Sequence, residues 1–335
     1  MPIVLVVISF VLALVGTLMM EALSPHIGLV QAPNARSSHT QPTARGGGLA
    51  IALASIAGGF AFASSGGFLP VLFLVAFIAA LGFLDDLSDL SPAIRFPLQT
   101  VIFAALIWML EPMPTMLLGF GLAFSGWLLT ATLLVAGLWW LNLFNFMDGI
   151  DGIAGSQAVL LLVCGATLWG LGDANAGTSP VFWFMLVSAA ATFGFLMRNW
   201  PPAKIFMGDA GSNSVALLIF FAALWTISKD DISYQSWLII AAVFITDATV
   251  TLLRRIVLRE KPWHAHRRHA YQQLSRQWGH RKTTLLYAAI TLAWTFPLSL
   301  VAQRLPDIAW HIVFVGYGPL IVLAFLTGAG SANEA

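Results

Sequence analysis

Long apolar runs separated by short polar segments dominate the chain. The hydrocarbon core of a bilayer requires about 20 mostly apolar residues for each helix that crosses it. By that criterion the pattern predicts eleven membrane-spanning helices. They cover residues 2–20, 46–64, 68–84, 95–110, 126–143, 153–171, 180–197, 211–228, 235–253, 284–303 and 308–327. The apolar segment 112–125 is rich in Pro and Gly, and the sequence leaves a short strand pair or a re-entrant piece open there.

Composition leads to the same class of protein. Charged residues make up 9% of the 335 residues, whereas soluble domains carry about 25%. A soluble globule with so few charges could not cover its surface, so an ordinary soluble enzyme, a coiled coil and a disordered chain are excluded. With a net charge of +1, we expect no nucleic-acid partner. We predict an all-α polytopic integral membrane protein, with residues 1–335 forming one helical transmembrane domain.

The basic residues predict how the helices are oriented. In an eleven-span topology, all of the 16 Lys and Arg residues except Lys229 and Arg304 fall on one side of the membrane. The positive-inside rule makes that side cytoplasmic, with the N-terminus periplasmic and the C-terminus cytoplasmic. The cytoplasmic loops are then 24–45, 85–94, 144–152, 198–210 and 254–283.

Carboxylates also concentrate on this predicted cytoplasmic side. The third predicted helix ends in the motif DDLSD, with Asp85, Asp86 and Asp89. Three carboxylates in one turn repel each other unless a cation neutralises them, and hard oxygen ligands favour Mg²⁺ or Mn²⁺. Asp89 is open between this role and that of a solvated charge at a helix end.

Two further polar motifs lie on the same side. Before the eighth predicted helix, the Gly-rich turn FMGDAGS would offer backbone N–H groups to a diphosphate. Asp209 of that turn could share a metal with the diphosphate, while Ser212 has the alternative role of an N-cap. After the fifth helix, NLFNFMDGIDG places a polar residue with an oxygen ligand at every third position. These residues are Asn142, Asn145, Asp148 and Asp151.

Basic residues and histidines complete the candidate chemistry. Arginine forks match phosphate oxygens, and a zinc site is less favoured because no Cys or carboxylate is interleaved with these histidines. The role of Asp247 stays open between pairing with Arg254 or Arg255 and catalysis. The candidate phosphate or nucleotide contacts are Arg36, His39 and Arg45 in one loop, and His264, His266, Arg267, Arg268 and His269 in another.

Taken in order, these motifs resemble those of the polyprenyl-phosphate N-acetylhexosamine-1-phosphate transferase family (glycosyltransferase family 4), which includes the phospho-MurNAc-pentapeptide translocase. The last motif, in which Tyr271 and Gln272 follow His269-Ala270, looks like the branch that initiates O-antigen or exopolysaccharide repeat units. The pieces that carry the resemblance are PNARSSHTQPTARGGG, GFLDDLSDL, NLFNFMDGIDGIAG, FMGDAGS and HAHRRHAYQ, between residues 33 and 271.

The resemblance implies a Mg²⁺-dependent enzyme of the bacterial inner membrane, with Mn²⁺ as a substitute. It would transfer N-acetylhexosamine-1-phosphate to undecaprenyl phosphate and release UMP, in the first membrane step of O-antigen, lipopolysaccharide or exopolysaccharide synthesis. The implied donor is UDP-N-acetylfucosamine, UDP-N-acetylquinovosamine or a UDP-N-acetylglucosamine type. A monomer and a homodimer both stay open.

The resemblance also implies roles for individual residues. Asp85, Asp86 and Asp209 are expected to be catalytic, with Asp85 orienting or deprotonating the lipid phosphate. Asn145 and Asp209 are the expected metal ligands. Phosphate or nucleotide contacts are expected from Asn142, Asp148, Asp151, His266, Arg267, Arg268, His269, Arg36, His39 and Arg45. A membrane aromatic prenyltransferase and a secondary transporter are the alternative functions.

Overall fold

A computed structural model describes residues 2–31, 42–63, 68–119, 121–260 and 266–331. Over these ranges the chain forms thirteen α-helices and two small antiparallel sheets, which confirms the all-α prediction. The helices are α1 (Pro2–Leu23), α2 (Gly48–Phe60), α3 (Phe68–Ser88), α4 (Pro92–Leu110), α5 (Gly126–Met147), α6 (Ile153–Gly172), α7 (Pro180–Asn199), α8 (Gly208–Ser228), α9 (Tyr234–Ile240), α10 (Ala242–Val257), α11 (Ala270–Ile290), α12 (Phe296–Arg304) and α13 (Ala309–Leu326).

Each predicted span contains a helix, but the spans differ in length. Within the described ranges, nine helical segments are long and apolar enough to cross a membrane. The predicted span 235–253 forms a tenth segment, in which α9 and α10 meet at a bend of 74°. The predicted span 46–64 carries only the 13-residue α2. At 1.5 Å per residue this helix is about 20 Å long, which is shorter than a bilayer core.

Helix α8 is the centre of the bundle. In its most apolar stretch 83% of the residues are buried, against 17% for α1, which lies at the periphery. Aromatic rings fill the space around α8: Phe68 of α3 lies edge-on to Phe184 of α7, with centroids 4.8 Å apart, and packs against Phe221 of α8. The start of α8 is itself enclosed, because Gly48 of α2 and Gly82 of α3 approach its backbone closely.

Two small sheets join the helices. The first pairs β1 (Val30–Gln31) with β2 (Thr43–Ala44), and Ala44 also bridges to Ile205 just before α8. The backbone N–H of Phe206 donates to the carbonyl of Ala44 at 2.8 Å. The second pairs β3 (Met116–Gly119) with β4 (Leu122–Phe124), so the segment that the sequence left open contains a strand pair.

Two helices that carry residues of the candidate site begin at other positions than the sequence predicts. Helix α8 begins at Gly208, so Asp209 lies in its first turn instead of before it. Helix α11 begins at Ala270, inside the segment that was predicted as a loop, and is broken at Gly279. The start of α11 is polar, so the apolar pattern gave no signal for it. Tertiary contacts stabilise this start, because the backbone N–H groups of Ala270 and Tyr271 donate to the side chain of Asp247.

Candidate active site

Five chain segments converge at one end of the bundle. The end of α3 brings Asp85 and Asp86, the start of α4 brings Arg95, and the start of α8 brings Asp209. The end of α5 adds Asn145, and the residue after β2 adds Arg45, at the point where β2 is bridged to the segment before α8. Side chains that are far apart in the sequence therefore meet in one cluster.

Asp209 is the hub of this cluster. Its Oδ1 accepts a hydrogen bond from Arg45 Nη2 at 3.0 Å and another from Asn145 Nδ2 at 3.1 Å. Arg95 Nη1 lies 3.4 Å from its Oδ2. Asn145 Nδ2 also donates to Ser212 Oγ at 3.0 Å. One carboxylate thus joins two arginines and an amide from three different parts of the chain.

Asp86 binds the first turn of α8. Its carboxylate accepts the backbone N–H groups of Asp209 at 2.9 Å and of Ala210 at 3.1 Å, and Arg45 Nη2 lies 2.8 Å away. Negative charge at a helix N-terminus is favoured by the exposed N–H groups and the helix dipole. The prediction that these N–H groups bind a diphosphate is therefore wrong for Asp209 and Ala210, because the side chain of Asp86 already occupies them.

Asp85 and Arg95 form an ion pair beside the hub. Arg95 Nη1 binds Asp85 Oδ2, and Asp85 Oδ1 accepts the backbone N–H of Leu90 at 2.8 Å. Asp85 is buried, with 5% of its surface exposed. Asp89 is exposed and ends α3 with a positive φ of 45°. Of the two interpretations of Asp89, the structure therefore favours the solvated charge.

Within the part of the chain that the structure describes, carboxylates outnumber guanidinium groups in the cluster, which suits a divalent cation. Asp85, Asp86 and Asp209 pair there with the guanidinium groups of Arg45 and Arg95, and Asp148 adds a fourth carboxyl nearby. Burial and then the charge of Asp209 raise the pKa of Asp148 well above its usual value. Added positive charge would lower the cost of ionising Asp148.

The donor set fits Mg²⁺ only when a substrate completes it. Among the described residues, no group of three or more His, Cys, Asp or Glu side chains could hold a metal by itself. Mg²⁺ commonly takes one or two protein oxygens and completes its shell with water and substrate phosphates. Asp209 would offer one such oxygen to a bound ion, and rotation of the Asn145 amide would offer a second.

Two predicted residues lie near the hub in other roles. Asn142 donates to the carbonyl of Leu138 at 2.7 Å, and it lines a pocket of about 140 Å³ together with Arg95, Asn145 and Asp209. Ser212 does not cap α8, because the helix starts four residues earlier, and it accepts from Asn145 instead.

The side chain of Asp151 contacts other parts of the protein chain. Its Oδ2 accepts the backbone N–H of Ala203 at 3.0 Å and lies 3.3 Å from His280 Nδ1. The carboxyl therefore connects the end of α5 to the segment before α8. Arg36, His39 and His264 lie outside the described residues.

The histidine and arginine segment before α11 is held by its own contacts. Arg268 pairs with Glu260, which also binds Arg255 at 3.0 Å. These two arginines hold the pKa of Glu260 below its usual range. The rings of His266 and His269 stack at 4.9 Å, and burial lowers the pKa of His266 to about 3. His266 is therefore a neutral ring at physiological pH.

Arg95 belongs to the site, although the sequence did not predict a catalytic or binding role for it. In the sequence, Arg95 is one of the basic residues whose distribution orients the helices. Its separation of ten residues from Asp85 across a short turn was a usable signal, because the end of α3 and the start of α4 must lie at the same face. In the described part of the chain, Asp247 pairs with neither of the two arginines that the sequence offered as partners. Arg254 donates to the carbonyl of Ala329, and Arg255 binds Glu260.

The sequence is similar to those of known proteins over the region that contains these residues. The sequence model for glycosyl transferase family 4 matches residues 68–227, which include Asp85, Asp86, Asn145 and Asp209. A probable undecaprenyl-phosphate N-acetylglucosaminyl 1-phosphate transferase from Bacillus subtilis (strain 168) is 28% identical, over 96% of this chain and 91% of its own length.

Two other relatives have similar coverage. A decaprenyl-phosphate N-acetylglucosaminephosphotransferase from Mycobacterium leprae (strain TN) is 28% identical, over 84% of this chain and 77% of its own length. An undecaprenyl-phosphate alpha-N-acetylglucosaminyl 1-phosphate transferase from Escherichia coli O157:H7 is 26% identical, over 90% of this chain and 82% of its own length. The similarity therefore extends across nearly the whole helical bundle.

Proposed function

Because the chain belongs to glycosyl transferase family 4, among the polyprenyl-phosphate N-acetylhexosamine-1-phosphate transferases, we propose that it transfers N-acetylhexosamine-1-phosphate from a UDP-sugar to a polyprenyl phosphate. The products are polyprenyl-diphospho-N-acetylhexosamine and UMP. The observation that carries the proposal is the hub at Asp209, where Arg45, Arg95 and Asn145 meet at the helix ends.

The reaction requires a site that gathers several negative charges. An oxygen of the acceptor phosphate attacks the phosphorus that bears the sugar, and the bond from that phosphorus to the oxygen of UMP breaks. Arg45 and Arg95 lie on two sides of Asp209, where their guanidinium groups can hold phosphate oxygens. Mg²⁺ held by Asp209 and Asn145 would offset the charge that develops on the transferred phosphoryl group.

Asp85 is assigned a positioning role instead of that of a general base. Both of its oxygens already accept hydrogen bonds, from Arg95 and from the backbone of Leu90. The second pKa of a phosphate monoester is about 6, so the acceptor is mostly dianionic at neutral pH and needs no base. Asp85 would then fix the guanidinium of Arg95 for contact with a phosphate.

The surroundings of the hub suit an acceptor that has a charged head and an apolar chain. The pocket of about 140 Å³ that contains Arg95 and Asp209 has exposed Phe96 and Phe146 in its lining. A second cavity of about 230 Å³ is lined by the part of α5 that precedes the first pocket and is almost entirely apolar, with Trp139, Trp140 and Trp237 in its wall. An isoprenoid chain matches this lining.

The names of the relatives favour N-acetylglucosamine as the transferred sugar, while the HAHRRHAYQ motif keeps UDP-N-acetylfucosamine and UDP-N-acetylquinovosamine as candidate donors. The proposed step would begin the lipid-linked assembly of a surface polysaccharide such as O-antigen or exopolysaccharide. We place the site at the cytoplasmic face of the inner membrane, where a water-soluble nucleotide sugar is available.

The test is UMP release by the detergent-purified protein, supplied with undecaprenyl phosphate, Mg²⁺ and a panel of UDP-N-acetylhexosamines. We expect UMP only when lipid, metal and one of the sugars are all present, and we expect loss of turnover when EDTA removes the metal. Asp209→Ala should abolish turnover in a protein that stays folded. The matched control is Asp307→Ala, which removes an exposed carboxyl outside the cluster.

The alternative outcomes have distinct signatures. Pyrophosphate release from a prenyl diphosphate, without UMP from any sugar, would point to an aromatic prenyltransferase. Solute uptake in vesicles that depends on a proton gradient would point to a transporter. Normal UMP release by Asp209→Ala would show that the metal assignment is wrong.

A further inference from the structure

Asp247 is a buried carboxylate outside the reacting cluster, and it is surrounded by hydrogen-bond donors. It lies in α10 with 3% of its surface exposed. Its Oδ1 accepts the backbone N–H of Ala270 at 2.8 Å, and its Oδ2 accepts the backbone N–H of Tyr271 at 2.9 Å. Its Oδ2 also accepts the hydroxyl of Tyr287 at 2.6 Å. An ionised carboxylate has about four acceptor sites, so these bonds satisfy most of its capacity.

The two backbone donors begin α11, directly after the segment His266–His269. A helix N-terminus leaves four N–H groups without partners. Asp247 supplies two of the missing acceptors from another helix, and its negative charge suits the helix dipole. His269 lies at the N-cap position, with its Nδ1 3.3 Å from Asp247 Oδ1. Because the segment His266–His269 leads directly into α11, the contacts of Asp247 at the start of this helix also fix where the segment ends.

The start of α11 also packs closely against the end of α5. The hydroxyl of Tyr271 donates to the carbonyl of Phe146 at 2.9 Å. A Cβ at position 149 would lie 2.0 Å from this hydroxyl, so only glycine allows the approach. Phe146 follows Asn145 and precedes Asp148 by two residues. The anchor at Asp247 is therefore linked to the end of α5 that carries a proposed metal ligand.

We propose that Asp247, together with Tyr287, is a positioning residue: it fixes the start of α11 so that the His266–His269 segment is held against the donor's diphosphate. This inference rests on the proposed function, and it excludes a role for Asp247 as an acid or base. Among the described residues, the groups that contact the carboxylate belong to α10 and to the start and middle of α11, and none of them is Asp85, Asp86 or Asp209.

The main test compares Asp247→Asn and Tyr287→Phe with wild type in the UMP-release assay. Asp247→Asn removes the charge and replaces one acceptor oxygen with an amide donor, whereas Tyr287→Phe removes one hydrogen bond to the carboxylate. Both changes should loosen the segment, so we expect the KM for the UDP-sugar to rise about tenfold in Asp247→Asn and about threefold in Tyr287→Phe. The KM for the polyprenyl phosphate should stay within about twofold of wild type. The matched control is Tyr317→Phe, which removes a hydroxyl that donates to the carbonyl of Leu238 elsewhere in the bundle.

A second measurement does not depend on turnover. Trypsin should cleave after Arg267 or Arg268 about five times faster in Tyr287→Phe than in wild type or Tyr317→Phe, because a weaker anchor lets the segment open more often. Faster cleavage in a preparation that releases no UMP would support the anchor while the proposed reaction fails.

The inference is overturned if both variants keep the wild-type donor KM and the wild-type cleavage rate. It is also overturned if Asp247→Asn lowers kcat while the KM for the donor and the cleavage rate stay unchanged, since that pattern would mark a group that takes part in the chemistry. If Asp247→Asn does not fold, Tyr287→Phe decides the question by the same criteria.

Discussion

Gly82 lies on α3 where this helix crosses the first turn of α8. A Cβ at this position would lie 2.4 Å from the carbonyl oxygen of Asp209 and 2.6 Å from the backbone nitrogen of Ala210. Both atoms belong to the backbone and cannot rotate away. We predict that Gly82→Ala largely inactivates the enzyme without touching any side chain of the cluster.

The magnitude follows from the contact distance. Ordinary van der Waals contact begins at 3.4 Å, so the start of α8 must move away from α3 by about 1 Å. The hydrogen bond from Asn145 to Asp209, now 3.1 Å long, would then be stretched or lost. A displacement of about 1 Å in a catalytic site can cost about a hundredfold in rate. Overpacking should also lower the free energy of unfolding by about 1–3 kcal/mol.

The assay is UMP release combined with the thermal unfolding midpoint in detergent. The matched control is Gly170→Ala in α6, where the nearest atom to the new methyl group lies at an ordinary 3.6 Å. This control should keep wild-type activity. More than half of wild-type activity in Gly82→Ala would refute the argument that contact between α3 and α8 sets the position of Asp209.

Two further predictions concern charge at the site. Because the pKa of Asp148 is raised in the folded protein by burial and by Asp209, this group contributes stability below the unfolded-state pKa of about 4 and loses it as the pH rises through the folded-state value. We therefore expect Asp148→Asn to unfold at a higher temperature than wild type at neutral pH and at the same temperature near pH 3; a constant difference across the pH range would contradict this. Arg95 bridges two carboxylates, so Arg95→Gln should reduce UMP release at least about tenfold. The control is Arg304→Gln, which changes an exposed arginine outside the cluster and should have no effect. Equal activity of the two variants would argue against a role for Arg95.

Local chemistry along the chain is enough to predict the class of fold. Apolar runs long enough to cross a bilayer predict spanning helices, because backbone polar groups must be satisfied internally in lipid. The motifs DDLSD and FMGDAGS likewise identify Asp85, Asp86 and Asp209, since carboxylates near span ends are costly without a function. These features depend on residue type and spacing, and both can be read without knowing which helices are neighbours.

The tertiary structure alone decides which side chains meet. Asp86 takes the N–H groups of α8 that the sequence assigned to a diphosphate, and Arg95 joins the hub although it appeared only as a topology charge. Asp247 anchors a helix start across 23 residues, a separation at which sequence spacing gives no contact. Hydrogen bonds and ion pairs act over about 3 Å, so their partners are set by how helices pack and cross, which no local pattern of residues contains.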